Sequence, residues 1–335
     1  MNKKYSELAE LFRSEKTDEE ILDFLLNYHK NDIADMMAGM TEEERKRLYH
    51  LLGAQKVAEI FKYIEEPRKY IRELSVESAA RVISEMDSDD AVDLLEDLDP
   101  EEKEQIVRML DEDAKKDVKM LLSYDEEEIG SCMTTNYICI PEDLTIKQAM
   151  SELVKQAGEN DNIMTIYVVD EKGVFAGAID LKDLIRAREN THLKDLVLKS
   201  YPYVTDHEKI DDCMDRILDY AEDSIPVLSE DKRILGVITS EDLIEMVDNE
   251  MGEDYAKLAG LTAEEDLKEP IVQSMKKRLP WLIILLFLGM GVSSVVGLFE
   301  NVVAVLPIVI CFQSLVLDMA GNVGTQSLAV TIRVL

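Results

Sequence analysis

The sequence predicts a multidomain chain. An all-α N-terminal domain of superhelical form (residues 1–130) is followed by two tandem α/β domains (131–193 and 194–250). A connecting helix (251–275) then leads to a partial transmembrane domain (276–335) with helices at about 280–300 and 302–332. Three observations carry this: a charge distribution that changes abruptly along the chain, an internal duplication, and an uncharged apolar run near the end.

The 335 residues are 46% hydrophobic, yet 70 Asp and Glu stand against 37 Lys and Arg, a formal charge of -33. So acidic a chain lacks the basic clusters that phosphate neutralisation needs, which excludes nucleic acid as a partner. Residues 1–130 hold 36 acids and 19 bases, residues 131–270 hold 32 and 14, and residues 271–335 only 2 and 4. The acidity therefore belongs to the first 270 residues. The cysteines Cys132, Cys139, Cys213 and Cys311 share no CxxC spacing and the four histidines are scattered, so neither zinc nor a disulfide framework is expected. A nucleophile with its base, a P-loop and HExxH are all absent, so no enzyme is expected.

In residues 1–130, short amphipathic stretches alternate with acidic turns such as Thr41-Glu-Glu-Glu and Asp99-Pro100-Glu-Glu. An acid or Thr at a helix start, and Pro at the first helical position, are ordinary N-terminal signals. Asp89 and Asp93 differ: at i and i+4 they project from one helix face, where like charges repel unless a cation lies between them.

Residues 131–250 contain a duplication with an offset of 59. Ile166–Ile185 (IYVVDEKGVFAGAIDLKDLI) aligns without gaps on Ile225–Ile244 (IPVLSEDKRILGVITSEDLI). In the second copy a strand at Tyr203–Thr205, a helix from Ile210 and strands at Ser224–Leu228 and Ile234–Ile238 are expected, an α/β unit that occurs twice. The pattern resembles a tandem of cystathionine-β-synthase-type (CBS) domains, through Gly236-Val237-Ile238-Thr239-Ser240-Glu241-Asp242. That resemblance implies that Thr239 and Asp242 hold the ribose of an adenine nucleotide such as ATP. A helix cap made by the same two residues is the alternative. The first copy departs from the pattern, with Asp180 where Thr239 stands.

Beyond the duplication, Glu245, Asp248, Glu250, Glu253 and Asp254 make an acidic helix leading to Lys276, Lys277 and Arg278. Trp281–Phe299 then runs 19 residues without a charge, close to the roughly 20 that cross a hydrocarbon core. The basic flank places the acidic domains in the cytoplasm of a cell with this chain in its inner or plasma membrane as a multi-pass protein. A second apolar stretch starts at Val302 and is interrupted by Asp318, Gly321, Asn322, Gly324, Thr325, Gln326 and Ser327. Polar groups at membrane depth mark a pathway by default, although small residues also allow close helix packing.

An acidic helical domain, a CBS pair, a connecting helix and membrane helices in this order resemble the MgtE family of magnesium channels. Tyr124-Asp-Glu-Glu-Glu-Ile-Gly130-Ser-Cys-Met133-Thr134 at the domain junction and Gly321-Asn322-Val323-Gly324-Thr325-Gln326-Ser327 carry the likeness alongside the CBS pair. The resemblance implies a homodimer in a lipid bilayer, with five membrane helices per subunit, so this sequence reads as truncated after the second. It implies that magnesium bridges carboxylates of the N-terminal domain, the CBS pair and the connecting helix, and so closes the channel. Asp89 and Asp93 match the N-terminal ligands. Asp242, Glu245, Glu250, Glu253 and Asp254 match those of the CBS end and the connecting helix, with Asp211 and Asp223 as further candidates. Asn322, Gly324 and Thr325 are the expected pore-lining residues. The competing expectation is a CBS module that reads an adenine nucleotide, attached to a divalent-cation transporter, with the acids a solvated face only.

Overall fold

The structure, a computed structural model, describes residues 17–64, 66–158, 160–188, 191–258, 271–299 and 307–334. The chain divides into two compact units at Leu243/Ile244.

The first unit opens with eight described helices: α1 (Asp18–Leu25), α2 (Lys30–Met37), α3 (Glu42–Phe61), α4 (Pro67–Ile71), α5 (Val76–Ser84), α6 (Ser88–Glu96), α7 (Pro100–Met109) and α8 (Glu112–Leu121). Their starts follow from the acidic turns. Thr41 and Glu44 form a reciprocal capping box on α3, Ser75 caps α5 and Asp111 caps α8. Helices stack on alternate neighbours, α3 on α5, α5 on α7 and α6 on α8, which is the superhelical arrangement the sequence predicts. Leu48, Phe61, Ile83 and Leu95 fill the space between them. One buried ion pair fastens the layers. The Arg45 guanidinium, 7% exposed, donates to Glu73 and to the carbonyls of Met37 and Met40.

The duplication appears as two three-stranded sheets. In the first, β1 (Ile138–Pro141) pairs parallel with β2 (Thr165–Val169), which pairs antiparallel with β3 (Phe175–Asp180). In the second, β4 (Val204–Thr205), β5 (Ser224–Leu228) and β6 (Ile234–Thr239) repeat this order. The register repeats as well: Thr165 faces Asp180 as Ser224 faces Thr239, and each hairpin carries a bulge at the same place. The helices α9 (Ile146–Gln156), α10 (Leu181–Arg186), α11 (Ile210–Leu218) and α12 (Ser240–Leu258) complete the two copies.

The copies interlock, because the lead-in to each one bridges the sheet of the other: Thr134 pairs with Val237 and Leu198 with Ala178. Glycine makes this approach feasible. A Cβ on Gly236 would lie 2.7 Å from the Thr134 carbonyl oxygen, and one on Gly177 would lie 2.5 Å from that of Leu198. Between the sheets Tyr167 is fully buried, with its hydroxyl 2.6 Å from Ser224 Oγ, while the Tyr201 hydroxyl donates to the Ser224 carbonyl at 2.7 Å.

Helix α12 is continuous from Ser240 to Leu258, so the last helix of the second copy and the start of the expected connecting segment are one element. Residues 259–270 of that segment lie outside the described residues. In the second unit, α13 (Ile271–Leu298) begins nearly three turns before the apolar run, because the basic stretch is itself helical and Pro280 is taken into the helix. Its Ser274–Leu298 portion, 25 residues, is long and apolar enough to cross a membrane, the one such helix among the described residues. Helix α14 (Pro307–Val334) has 28 residues, about 42 Å at roughly 1.5 Å per residue, and carries the polar run. The first helix thus starts nine residues before the expected 280 and ends at 298, while the second ends at 334 and its expected start at 302 lies outside the described residues.

Candidate metal centre

The N-terminus of α6 is built from Asp87-Ser88-Asp89-Asp90. Asp87 occupies the N-cap position, yet its side chain makes no capping bond. Its carboxylate instead accepts from Asn136 Nδ2 at 2.8 Å and lies 3.5 Å from Lys62 Nζ. Ser88 is buried, and its hydroxyl accepts from the Thr135 amide at 2.9 Å. The segment that leads into the first α/β copy is therefore fastened to the helical domain by polar bonds at the head of α6.

Facing α6 is the start of α12. Thr239 and Asp242 make a reciprocal cap: the Thr239 amide donates to Asp242 Oδ2 at 2.7 Å, and the Asp242 amide to Thr239 Oγ1 at 3.3 Å. Asp89, Asp87, Asp90 and Asp242 line one cleft of about 230 Å³, together with Lys62, Glu241 and Asn136. Lys62, just past the end of α3, lies 3.9 Å from Asp90 and 3.3 Å from Glu241.

The electrostatics follow from this crowding. Burial, and then the neighbouring Asp242, Asp90 and Asp87, raise the Asp89 carboxyl well above the ordinary carboxylate range. Asp90 is pushed up to about 7, mostly by burial, with Lys62 opposing. Asp242 is raised by burial, while its cap bonds with Thr239 pull the other way. Burial works against the charge on Lys62, yet Asp90, Asp87 and Glu241 together hold its pKa above the ordinary value. One atom stands apart: Asp89 Oδ1 is shielded from solvent and has no hydrogen-bond partner. Such an orphan costs about 1–3 kcal/mol or more for a charged group, so a partner is strongly favoured.

The other expected ligands are placed differently. Asp93, one turn along α6, is exposed and outside the cleft wall, though near enough to act on the Cys132 thiol along with Asp89 and Asp242. Asp211 and Asp223 are exposed positions of the second copy and do not line the cleft. Glu245 and Glu250 are exposed on α12 in the second unit, and the side chains of Glu253 and Asp254 lie outside the described residues. Asn322, Gly324 and Thr325 are exposed on α14, where Asn322 donates to Asp318 at 3.4 Å and Thr325 to the Gly321 carbonyl at 3.0 Å. Asp87, Asp90, Glu241 and Lys62 were not expected. Asp87 and Asp90 read as helix-start acids, and only the missing capping bond at Asp87 distinguishes it.

Among the described residues no group of three or more His, Cys, Asp and Glu is arranged to hold a metal by itself. The donors present are oxygens, with carboxylates on two facing elements and one unsatisfied. That set fits a hard cation that keeps most of its water, as magnesium does, rather than a tight protein cage.

A second polar joint lies at the domain junction. The amides of Ile129 and Gly130 donate to the carbonyls of Glu208 and Asp206 at 2.9 and 3.0 Å, and the Ile210 amide to that of Glu127 at 3.0 Å. The Tyr124 hydroxyl donates to Asp206 at 3.1 Å, and His207 Nδ1 lies 2.9 Å from Glu128.

Comparison with known proteins agrees with this architecture. Residues 28–127 match the family described as the MgtE intracellular N domain, and residues 127–190 and 193–249 each match the CBS domain. The magnesium transporter MgtE of Enterococcus faecalis is 38% identical over 99% of this chain, which covers 74% of that protein. The chain belongs to the MgtE family of magnesium transporters. The MgtE proteins of Bacillus subtilis and Thermus thermophilus are each 32% identical over 63% of the chain, which spans 47% and 48% of their lengths. Among solved structures, the soluble part of a magnesium transporter superposes with a TM-score of 0.70 at 29% identity, covering 74% of this chain and 98% of that one. The cytosolic domain of the Mg2+ channel MgtE in complex with ATP gives 0.65 at 27% identity, covering 72% and 99%. For this MgtE-family chain, then, the CBS expectation and the helical N-terminal domain both hold.

Proposed function

We propose that the chain is a subunit of a magnesium channel or transporter, gated by cytosolic magnesium bound between its N-terminal domain and its CBS pair. The observation that carries this is Asp89 Oδ1, buried and unpartnered in a cleft it shares with Asp87, Asp90 and Asp242. Asp89 and Asp242 would hold the ion, which supplies the positive charge that cancels their repulsion. Asp87 and Asp90 add to the field, while Asn136 and Ser88 orient the head of α6. Without the ion, the crowded carboxyls of α6 and α12 lack that counter-charge and the docking of the two domains is weaker. Glu245, Glu250, Glu253 and Asp254 would add magnesium ligands on the connecting segment, with Asp93, Asp211 and Asp223 as outlying contributors.

Transport itself belongs to a larger assembly. Asn322, Gly324 and Thr325 are polar or small and exposed on α14, and at membrane depth such groups need further helices around them. This supports a homodimer in the bilayer, with the acidic domains on the cytoplasmic side. Nucleotide binding is supported by the relative in complex with ATP. It is not favoured at Thr239 and Asp242, whose hydrogen bonds serve the helix cap and whose neighbours repel phosphate.

Limited proteolysis of the full chain in detergent, with and without millimolar magnesium, tests the reading. Protection of the junction by magnesium, weakened in Asp89→Asn/Asp242→Asn, is expected. Identical cleavage in both conditions would sink the sensor role.

A further inference from the structure

The cleft already contains a cation of its own. Lys62 Nζ lies within ion-pair distance of Asp87 and Asp90 on the helical domain and of Glu241 on the second CBS copy. Lys30, the other cation at this cleft, lies 3.0 Å from Glu59. We propose that Lys62 is a tethered cation that keeps the N-terminal domain docked on the CBS pair when no divalent ion is bound. The inference rests on the metal-bridged reading of the cleft and adds what holds the cleft together without the metal.

Position and chemistry both favour this role. Lys62 caps the C-terminal end of α3, where the helix dipole favours positive charge. Its ammonium is a compact point charge with three donors on a flexible stem, suited to three carboxylates that do not share a plane. It is fixed to the chain, so its local concentration does not fall when free cations are scarce. The side chain is 28% exposed, so solvent screens its ion pairs less than those of a free surface lysine.

The geometry also divides the labour. Lys62 is paired with Asp87, Asp90 and Glu241, whereas Asp89 Oδ1 has no partner. The lysine therefore joins one side of the cleft and leaves the other for a divalent ion. A docked state that survives without metal responds in a graded way, because the cleft is already assembled when the ion arrives.

Hydrogen exchange of the full chain in detergent, read at the Thr135 amide that donates to Ser88, tests the proposal. In EDTA, Lys62→Gln should exchange at least about tenfold faster than wild type, Lys62→Arg within about twofold of it, and Glu241→Gln at least about threefold faster. Amides of β2 should not change. Exchange of Lys62→Gln in EDTA within twofold of wild type overturns the proposal. If Lys62→Gln also loses protection in β2, it has unfolded, and Glu241→Gln decides: no acceleration there overturns the proposal. Added magnesium separates the two ideas. Restored protection of Lys62→Gln supports both, whereas acceleration in EDTA that magnesium does not reverse leaves Lys62 as the tether and refutes the magnesium site.

Discussion

Gly130→Ala should loosen the junction between the helical domain and the CBS pair without unfolding either. A Cβ at this position would lie 2.7 Å from the Asp206 carbonyl oxygen and 2.9 Å from the Tyr124 ring. Neither neighbour yields easily: one is backbone, and the other is held through its hydroxyl bond to Asp206. Relief requires the 129–130 segment to move away, which breaks the amide bonds of Ile129 and Gly130 to Glu208 and Asp206. Two hydrogen bonds at about 0.5–1.5 kcal/mol each amount to about 1–3 kcal/mol, or roughly 5- to 150-fold more frequent opening. Hydrogen exchange of the Ile129, Gly130 and Ile210 amides measures this directly. Exchange within twofold of wild type would show that the close approach at Gly130 does not hold the junction.

Other predictions concern the scaffold, the junction's pH response and the cleft. Glu73→Ala leaves the buried Arg45 guanidinium without its carboxylate and should cost about 3–5 kcal/mol in chemical denaturation; a loss below about 1 kcal/mol would contradict the clamp. His207 is held above its ordinary pKa first by its bond to Glu128, and Glu128 is lowered by the Asp125 amide and His207. The pair's contribution is thus full between the two unfolded values, about 4.5 and 6.5. It is lost above as pH rises through the folded His207 value, and below as pH falls through the folded Glu128 value. The difference in Tm between wild type and His207→Gln should shrink as pH rises past neutrality, and a difference constant across pH 5–9 would refute the pairing. Asp89→Asn should weaken magnesium-dependent protection of the Thr135 amide about tenfold or more in midpoint concentration, while Asp93→Asn should shift it less than threefold. An equal response of the two variants would place the ion elsewhere.

The repeat, the strand positions and the helix starts were legible because they depend on local patterns. The 59-residue offset carries directly into the matching registers of β2/β3 and β5/β6, and Thr41 caps the helix it precedes. The candidate site was only half legible. Spacing on α6 pointed to Asp89 and Asp93 as equals, but packing against α12 buries an oxygen of Asp89 and leaves Asp93 exposed. Asp87, Asp90 and Lys62 join the cleft through contacts with residues 25 to 179 positions away, such as Lys62 with Glu241. No local pattern reports such contacts. The interlocking of the CBS copies was likewise hidden, since the Thr134–Val237 bridge follows from the tertiary approach at Gly236 rather than from strand propensity.

The central claim is that a divalent ion sits between Asp89 and Asp242. Anomalous diffraction from crystals of the chain grown with manganese in place of magnesium tests it most directly. The account predicts an anomalous peak in the cleft, within direct or single-water reach of Asp89 and Asp242, that disappears in Asp89→Asn/Asp242→Asn. Peaks confined to other carboxylates, with this cleft empty at saturating manganese, would contradict it.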